Sequence, residues 1–352
     1  MPRKGGSRRS KDESHSLLCL VVDVSPLAWG ERDLQRTAQD KGRGAAGKRS
    51  IGPAIIEEVL EAVQAFCSAY SSLERDSGLL VLAVADGESA VVYPRKNVLQ
   101  EWLRHAESFV PDTRRIKEDL IIGVAELVGR AAKKTRDTAG SQAAMASAFS
   151  KALCIINRFL VAARSGVSAM QTEHYMTRND DEGVIALMGN KKKISKKQLS
   201  AWSPRILLIQ ASEDRSRDYN AFMNCAFAAV KQQTVVDGCF LTAGGSKSSS
   251  AFMEQACDLT GGVFLAPSGA AQVGGALTEV LISVFLSPLS CRSSLNLPAL
   301  NKVDFRARCF QTGNAVDMAF VCNQCLSIFS NKPTGQCPTC QAAIHADKRR
   351  KE

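Results

Sequence analysis

Leu17-Leu18-Cys19-Leu20-Val21-Val22-Asp23 is an unbroken apolar run that ends on a carboxylate. A strand with one face in water alternates apolar and polar residues, whereas a strand covered on both faces has no need to. The run therefore predicts a central strand of a mostly parallel sheet. Asp23 falls at its carboxyl end, where open α/β sheets gather their ligands.

Reading downstream, the polar stretch Glu31 to Ser50 is expected to be a loop. A helix follows in which Ile55, Ile56, Val59, Leu60, Val63, Phe66, Cys67 and Tyr70 recur at helical spacing, with Pro53 suited to its first turn. Leu79–Ala85 and Val91–Tyr93 read as strands joined by Asp86-Gly87, a hairpin signal that makes the second of them an antiparallel edge. Helical patterns occupy Asn97–His105, Ile116–Ala132 and Ala143–Ala163. A polar insertion over 171–204 carries Lys191-Lys192-Lys193 and Lys196-Lys197, and is expected to be a flexible loop. After it come strand Ile206–Ile209, helix Tyr219–Lys231, strand Val235–Leu241, helix Ser249–Leu259 stopped by Gly261-Gly262, strand Val263–Leu265 and a closing helix over Leu277–Leu286. Strands alternating with helices predict a doubly wound α/β domain over residues 16–290, preceded by a disordered basic tail at 1–15.

Beyond that domain, Cys322-x2-Cys325 and Cys337-x2-Cys340 are thiol pairs of the kind that close around one zinc ion. The two-residue spacing turns both sulfurs of a pair to one side, and four thiolates make a soft tetrahedral shell with no position open to water. The ion would be structural. Leu326-Ser327-Ile328-Phe329, Pro333, Gly335 and Pro338 suit a short hairpin carrying two knuckles, which predicts a zinc module over 300–345 and a basic tail at 346–352. The competing reading is disulfides or free thiols. The other cysteines, Cys19, Cys67, Cys154, Cys225, Cys239, Cys257, Cys291 and Cys309, stand mostly single in apolar runs and read as small core residues in a reducing compartment.

At 352 residues the chain can bury a large core and still carry a second small module. The net charge of +10 is concentrated in short basic clusters such as Arg8-Arg9-Lys11 and Lys348-Arg349-Arg350-Lys351, which suit solvated tails, nuclear import or non-specific phosphate contact. Few aromatics accompany them, so a base-stacking surface is not indicated and nucleic-acid contact would be peripheral at most. The absence of an apolar N-terminal segment and of a long uncharged span disfavours secretion and a membrane setting.

Catalytic signals are weak. Asp23-Val24-Ser25-Pro26-Leu27 falls one ligand short of the Asp-x-Ser-x-Ser magnesium site of von Willebrand factor A domains, because leucine offers no oxygen. Asp86 or Asp214 would be the helpers of any residual divalent ion there. Gly42-Arg43-Gly44-Ala45-Ala46-Gly47-Lys48 approaches a phosphate loop, but Arg49 stands where a Ser or Thr should hold magnesium and no buried strand precedes it. His15, His105, His174 and His345 form no ligand pair, and no local nucleophile-base arrangement appears.

Several segments together resemble one family. Leu18–Asp23 with Ser25-Pro26 and Trp29-Gly30, Arg205–Asp214, Gln255–Gly262, Val303–Cys309 and Phe320–Phe329 are similar in type and order to the smaller von Willebrand factor A-like, zinc-binding subunit family of TFIIH. The resemblance implies a von Willebrand factor A-like fold, a nuclear, non-catalytic scaffold in transcription and nucleotide-excision repair, and a larger von Willebrand factor A-like subunit as partner. It places the zinc ligands on Cys322, Cys325, Cys337 and Cys340. The chain departs from many such relatives at Phe310-Gln311-Thr312 and Ser330, where further Cys and His residues are often found. Two other readings compete: a metal-dependent ligand-binding domain, opposed by Leu27, and a ubiquitin-ligase-type zinc protein, whose cross-brace needs twice the ligands at convincing spacing here.

Overall fold

The structure, a computed structural model, describes residues 15–42, 55–73, 77–104, 113–134, 144–165, 202–215, 218–241, 249–268, 272–298, 303–312 and 314–344. The terminal tails, the phosphate-loop-like residues after Gly42, Pro53, insertion residues 171–201, and His105, His174 and His345 lie outside them. Among the described residues no helix is long and apolar enough to cross a membrane.

Strand β1 (His15–Asp23) pairs in parallel with β2 (Gly78–Ala85) on one side and β4 (Trp202–Gln210) on the other. The six-stranded order is β3-β2-β1-β4-β5-β6, with β3 (Glu88–Tyr93) the antiparallel edge, β5 Val235–Phe240 and β6 Phe264–Leu265. The Asp86-Gly87 turn is tight enough to need the left-handed φ of 81° at Gly87, as the hairpin reading requires.

The unbroken apolar run of β1 feeds two cores at once. Leu18, Leu20 and Val22 enter one layer with α2 (Ile55–Leu73), α4 (Thr113–Lys134) and the closing helix α8 (Gly274–Val280). Leu17, Cys19 and Val21 enter the opposite layer with α3 (Lys96–Arg104), α5 (Met145–Ser165), α6 (Tyr219–Gln232) and α7 (Ala251–Thr260). Period-two alternation thus distributes side chains between two apolar layers and never to water. Helix α7 starts on the Ser250 side chain, which accepts from the Met253 amide, and stops at Gly261 in the left-handed region. The next residue must be glycine for a different reason: a Cβ at Gly262 would stand 1.9 Å from the Val236 carbonyl oxygen.

Two expectations need correction. The stretch from Glu31 is no loop: α1 runs from Pro26 to Gly42. It turns Trp29 and Arg32 inward and leaves Leu34 exposed, so among its described side chains the inward face shows no apolar periodicity. The insertion ends earlier than expected, because Trp202, Ser203 and Pro204 already pair with His15, Ser16 and Leu17. Pro204 precedes the first residue of β5 in register, where β4 has a neighbour on one side only and a missing N–H is tolerated. The closing helix changes to a π-helical turn at Leu281–Phe285. Its last carbonyls, of Phe285, Leu286 and Ser287, accept from the guanidinium of Arg205, which is buried in the core.

Candidate metal centre

The order of the sheet reverses between β1 and β4, so the crevice at their carboxyl ends is the place for a ligand in the α/β domain. Protein groups occupy it. One oxygen of Asp23 accepts from the Ser25 amide at 3.0 Å; the other accepts from the amides of Ala211 (3.1 Å) and Ser212 (2.7 Å) and from the Ser212 hydroxyl. Arg32, buried beside this carboxylate, donates to the carbonyl of Ala211 at 3.0 Å and to that of Leu241. Burial lowers its proton affinity to about 10, against the pull of the Asp23 charge, and it remains a cation at neutral pH. Leu27 points into solvent from the first turn of α1, with 54% of its surface exposed.

The two proposed helper carboxylates differ. Asp214 accepts from Gln210 (3.1 Å), the Ser250 hydroxyl (2.7 Å) and the Phe252 amide (3.2 Å), and so ties β4 to the start of α7. Burial nonetheless holds its carboxyl above the ordinary range. Asp86 is raised as well, by burial and then by the nearby Asp23 charge. A divalent ion at Asp23 would have to displace four donors and sit beside a guanidinium.

The C-terminal module has the opposite character. Hairpins β7–β8 (Ala307–Arg308 with Ala315–Val316) and β9–β10 (Phe320–Val321 with Ile328–Phe329) are two residues per strand. Among the described residues, the cluster they frame has Cys322, Phe329 and Cys337 inside, with Phe310, Cys325 and Ile344 packed on it. Such a core cannot hold a fold by burial alone. The sulfurs of Cys322, Cys325, Cys337 and Cys340 all lie within 4.8 Å of one another and could hold a metal ion. Cys322 and Cys340 are 3.8 Å apart and Cys325 and Cys337 3.7 Å. The edge of a tetrahedron with metal–sulfur bonds of about 2.3 Å is about 3.8 Å, so the spacing fits a zinc-sized ion.

Each pair sits on the same turn. The amide of Cys322 donates to Ser327 O (2.9 Å) and that of Cys337 to Ala342 O (2.8 Å); the residue after each second cysteine, Leu326 or Gln341, adopts φ of 60° and donates back to the first cysteine's carbonyl. The thiols are poised unequally. Slight burial of Cys325 is outweighed by hydrogen bonds from Ser327 and the neighbouring thiols, which bring it down to about 6. At Cys340 the Ala342 amide pulls down, but burial and the other three sulfurs push up, and the thiol ends at about 12. Four sulfurs this close cannot all ionise until a cation compensates them.

No disulfide joins any of the twelve cysteines in the structure. The core reading holds for Cys19, Cys67, Cys239, Cys257 and Cys309, but Cys154 and Cys291 are exposed and Cys225 is half-buried. Cys309 is not without neighbours either. The Ser330 amide and hydroxyl approach its sulfur at 3.3 and 3.5 Å. Burial would raise this thiol, yet hydrogen bonds from Thr312 and Ser330 outweigh it and bring it to about 6. Sequence reasoning also missed Arg32 and the link between the two regions, in which Gln255 on α7 donates to the Asp304 carbonyl at 2.8 Å.

A family model described as Transcription factor Tfb4 matches residues 15–341. The chain belongs to the Tfb4 family. This bears out the resemblance read from the separate segments, and the mostly parallel sheet with one antiparallel edge is the doubly wound architecture expected with it. Among Tfb4-like relatives, General transcription factor IIH subunit 3 of Dictyostelium discoideum is 26% identical over 388 residues, covering 97% of this chain and 91% of the relative. The General transcription and DNA repair factor IIH subunit TFB4 of Debaryomyces hansenii is 28% identical over 360 residues, covering 95% and 86%. The crystal structure of the TFIIH p34 N-terminal domain aligns with 78% of this chain and 99% of its own, at 19% identity and a TM-score of 0.49.

Proposed function

We propose that this chain is a non-catalytic structural subunit of the TFIIH core complex, acting in the nucleus in RNA polymerase II transcription initiation and nucleotide-excision DNA repair by protein–protein scaffolding. The observation that carries this reading is extent: relatives named as factor IIH subunits align with 97% and 95% of the chain, so the likeness spans the α/β domain and the cysteine module together. We assign one structural zinc to Cys322, Cys325, Cys337 and Cys340, a donor set that favours a soft tetrahedral ion and leaves no open position for chemistry. We place the division between the two modules at about residues 290–300.

The partner in this reading is the larger von Willebrand factor A-like subunit, and the zinc module is its contact. Met318 (87% exposed), Leu326 (63%), Val321 (58%) and Phe320 (49%) are large apolar side chains on or next to one short hairpin. Apolar surface on a rigid, metal-pinned hairpin can be buried at little ordering cost. Nucleic-acid contact is limited to the salt-sensitive attraction of a basic chain.

The test is co-purification of the tagged chain from nuclear extract. The full chain should bring down the larger subunit and other TFIIH subunits, and deletion of 300–352 should weaken that capture by about tenfold or more, equivalent to about 1.4 kcal/mol, with the α/β domain still folded. Undiminished capture by the deletion would overturn the zinc module as contact. Failure of the full chain to bring down any TFIIH subunit would overturn the scaffold reading.

A further inference from the structure

The turn at Cys309 has the plan of the two metal knuckles. The amide of Cys309 donates to the carbonyl of Asn314, five residues on, at 2.9 Å, as Cys322 does to Ser327 (2.9 Å) and Cys337 to Ala342 (2.8 Å). Cys309-x2-Thr312 repeats the spacing of Cys322-x2-Cys325 and Cys337-x2-Cys340, with a hydroxyl in place of the second thiol. The sulfur environment also matches: Ser327 Oγ lies 3.0 Å from Cys325 Sγ, and Ser330 presents both its amide and its hydroxyl to Cys309 Sγ.

What differs is what closes the turn. Around Cys309 Sγ stands Ser330, whose amide and hydroxyl donate to the sulfur, and Thr312 supplies a hydroxyl at the second position of the turn. One thiol and two hydroxyls make a poor shell for a soft ion, whereas hydroxyl and amide hydrogens aimed at one sulfur satisfy it without any ion. Ser330 follows directly on β10, and the Phe310 amide donates to Ile328 O in β10 at 2.7 Å. The Cys309 turn therefore fastens hairpin β7–β8 to β10, as the metal would fasten the other two turns to each other.

We propose that the module is built from three knuckles with one metal: the Cys309–Thr312 turn is a metal-free knuckle, closed by hydrogen bonds from Ser330 to the Cys309 sulfur. Cys309 is then a fastening residue and no zinc ligand, and the backbone around it is already shaped to take an ion if the hydroxyls become thiols. This goes beyond the scaffold reading and does not depend on any partner.

Zinc content of the full-length chain and hydrogen exchange over residues 307–316 and 337–344 test it. Wild type should carry one zinc. Cys309→Ala should keep that zinc, exchange several-fold faster over 307–316, and leave 337–344 unchanged. The double variant Thr312→Cys, Ser330→Cys should take up a second ion on three thiolates and water, raising the content to two, and adding Cys309→Ala should return it to one. Two zincs in wild type, loss of zinc from Cys309→Ala, or a folded double variant that stays at one would each overturn the proposal. Should the double variant not fold, the Cys309→Ala result decides: zinc kept with faster local exchange supports the metal-free knuckle, and zinc kept with unchanged exchange refutes the fastening role.

Discussion

The α/β domain and the zinc module lie on one chain and solve the problem of stability in opposite ways. In the first, a fully buried central sheet sends alternate side chains into two apolar layers, and the charged groups of Asp23 and Arg205 enter the interior with hydrogen-bonding partners arranged around them. In the second, three of the described residues make the buried cluster, and hairpins of two residues per strand rely on turns that point sulfur inward. Where apolar area is plentiful, a chain can use its carboxylates to brace loops; where it is scarce, thiol chemistry must supply what burial does not.

The largest effect expected from breaking this contrast is Cys337→Ser. Structural zinc binding in small modules is worth about 10–16 kcal/mol, so loss of one ligand should release the ion and abolish hydrogen-exchange protection over 314–344. The α/β domain should keep its own unfolding transition. A single transition in which both regions unfold together would show that the contrast is false and the modules are one cooperative unit.

Phe66→Ala acts on the other side of the comparison. Phe66 on α2 is wholly buried in the layer shared with β1, and deleting a buried aromatic ring costs about 3–5 kcal/mol through lost transfer energy and the cavity left behind. Denaturant titration should show that loss with the zinc content unchanged. Zinc lost alongside would mean that the module depends on the domain beneath it.

The smallest effect concerns Asp214, whose carboxyl burial holds above its ordinary 3.8. The folded state then keeps its proton more readily than the unfolded chain, so the contribution to stability is full below about pH 4 and is lost as pH rises through the raised value. Asp214→Asn should flatten that part of the stability-versus-pH curve, whatever it does to the absolute value. An unchanged slope would mean that hydrogen bonds from Ser250, Phe252 and Gln210 cancel the burial.

Legibility followed the physical origin of each element. The run Leu17–Val22 could be recognised because burial on both faces removes polar residues from a strand, and the Cys-x2-Cys pairs because a metal fixes both ligand type and spacing. Helix α1 was not legible, since the described residues it buries are Trp29 and Arg32, and the carbonyls that receive Arg32 lie far away in sequence at Ala211 and Leu241. Ser330 shows in the sequence only as a departure from relatives, for the same reason: its partner is Cys309, twenty-one residues earlier, and only the packing of β10 against the Cys309 turn brings them together.

By itself, then, the sequence determined the local matters: which runs are apolar on both faces, where Asp86-Gly87 and Gly261 must turn the chain, and which four thiols share a spacing suited to one ion. Only the tertiary structure decided how polar groups are satisfied. It gave Asp23 its donors from β4, Arg205 its carbonyls at the end of the closing helix, and Cys309 a hydroxyl in place of a metal. Apolar burial and turn chemistry are written into neighbouring residues, whereas a buried hydrogen-bonding group takes whatever partner the fold places beside it, at any distance along the chain.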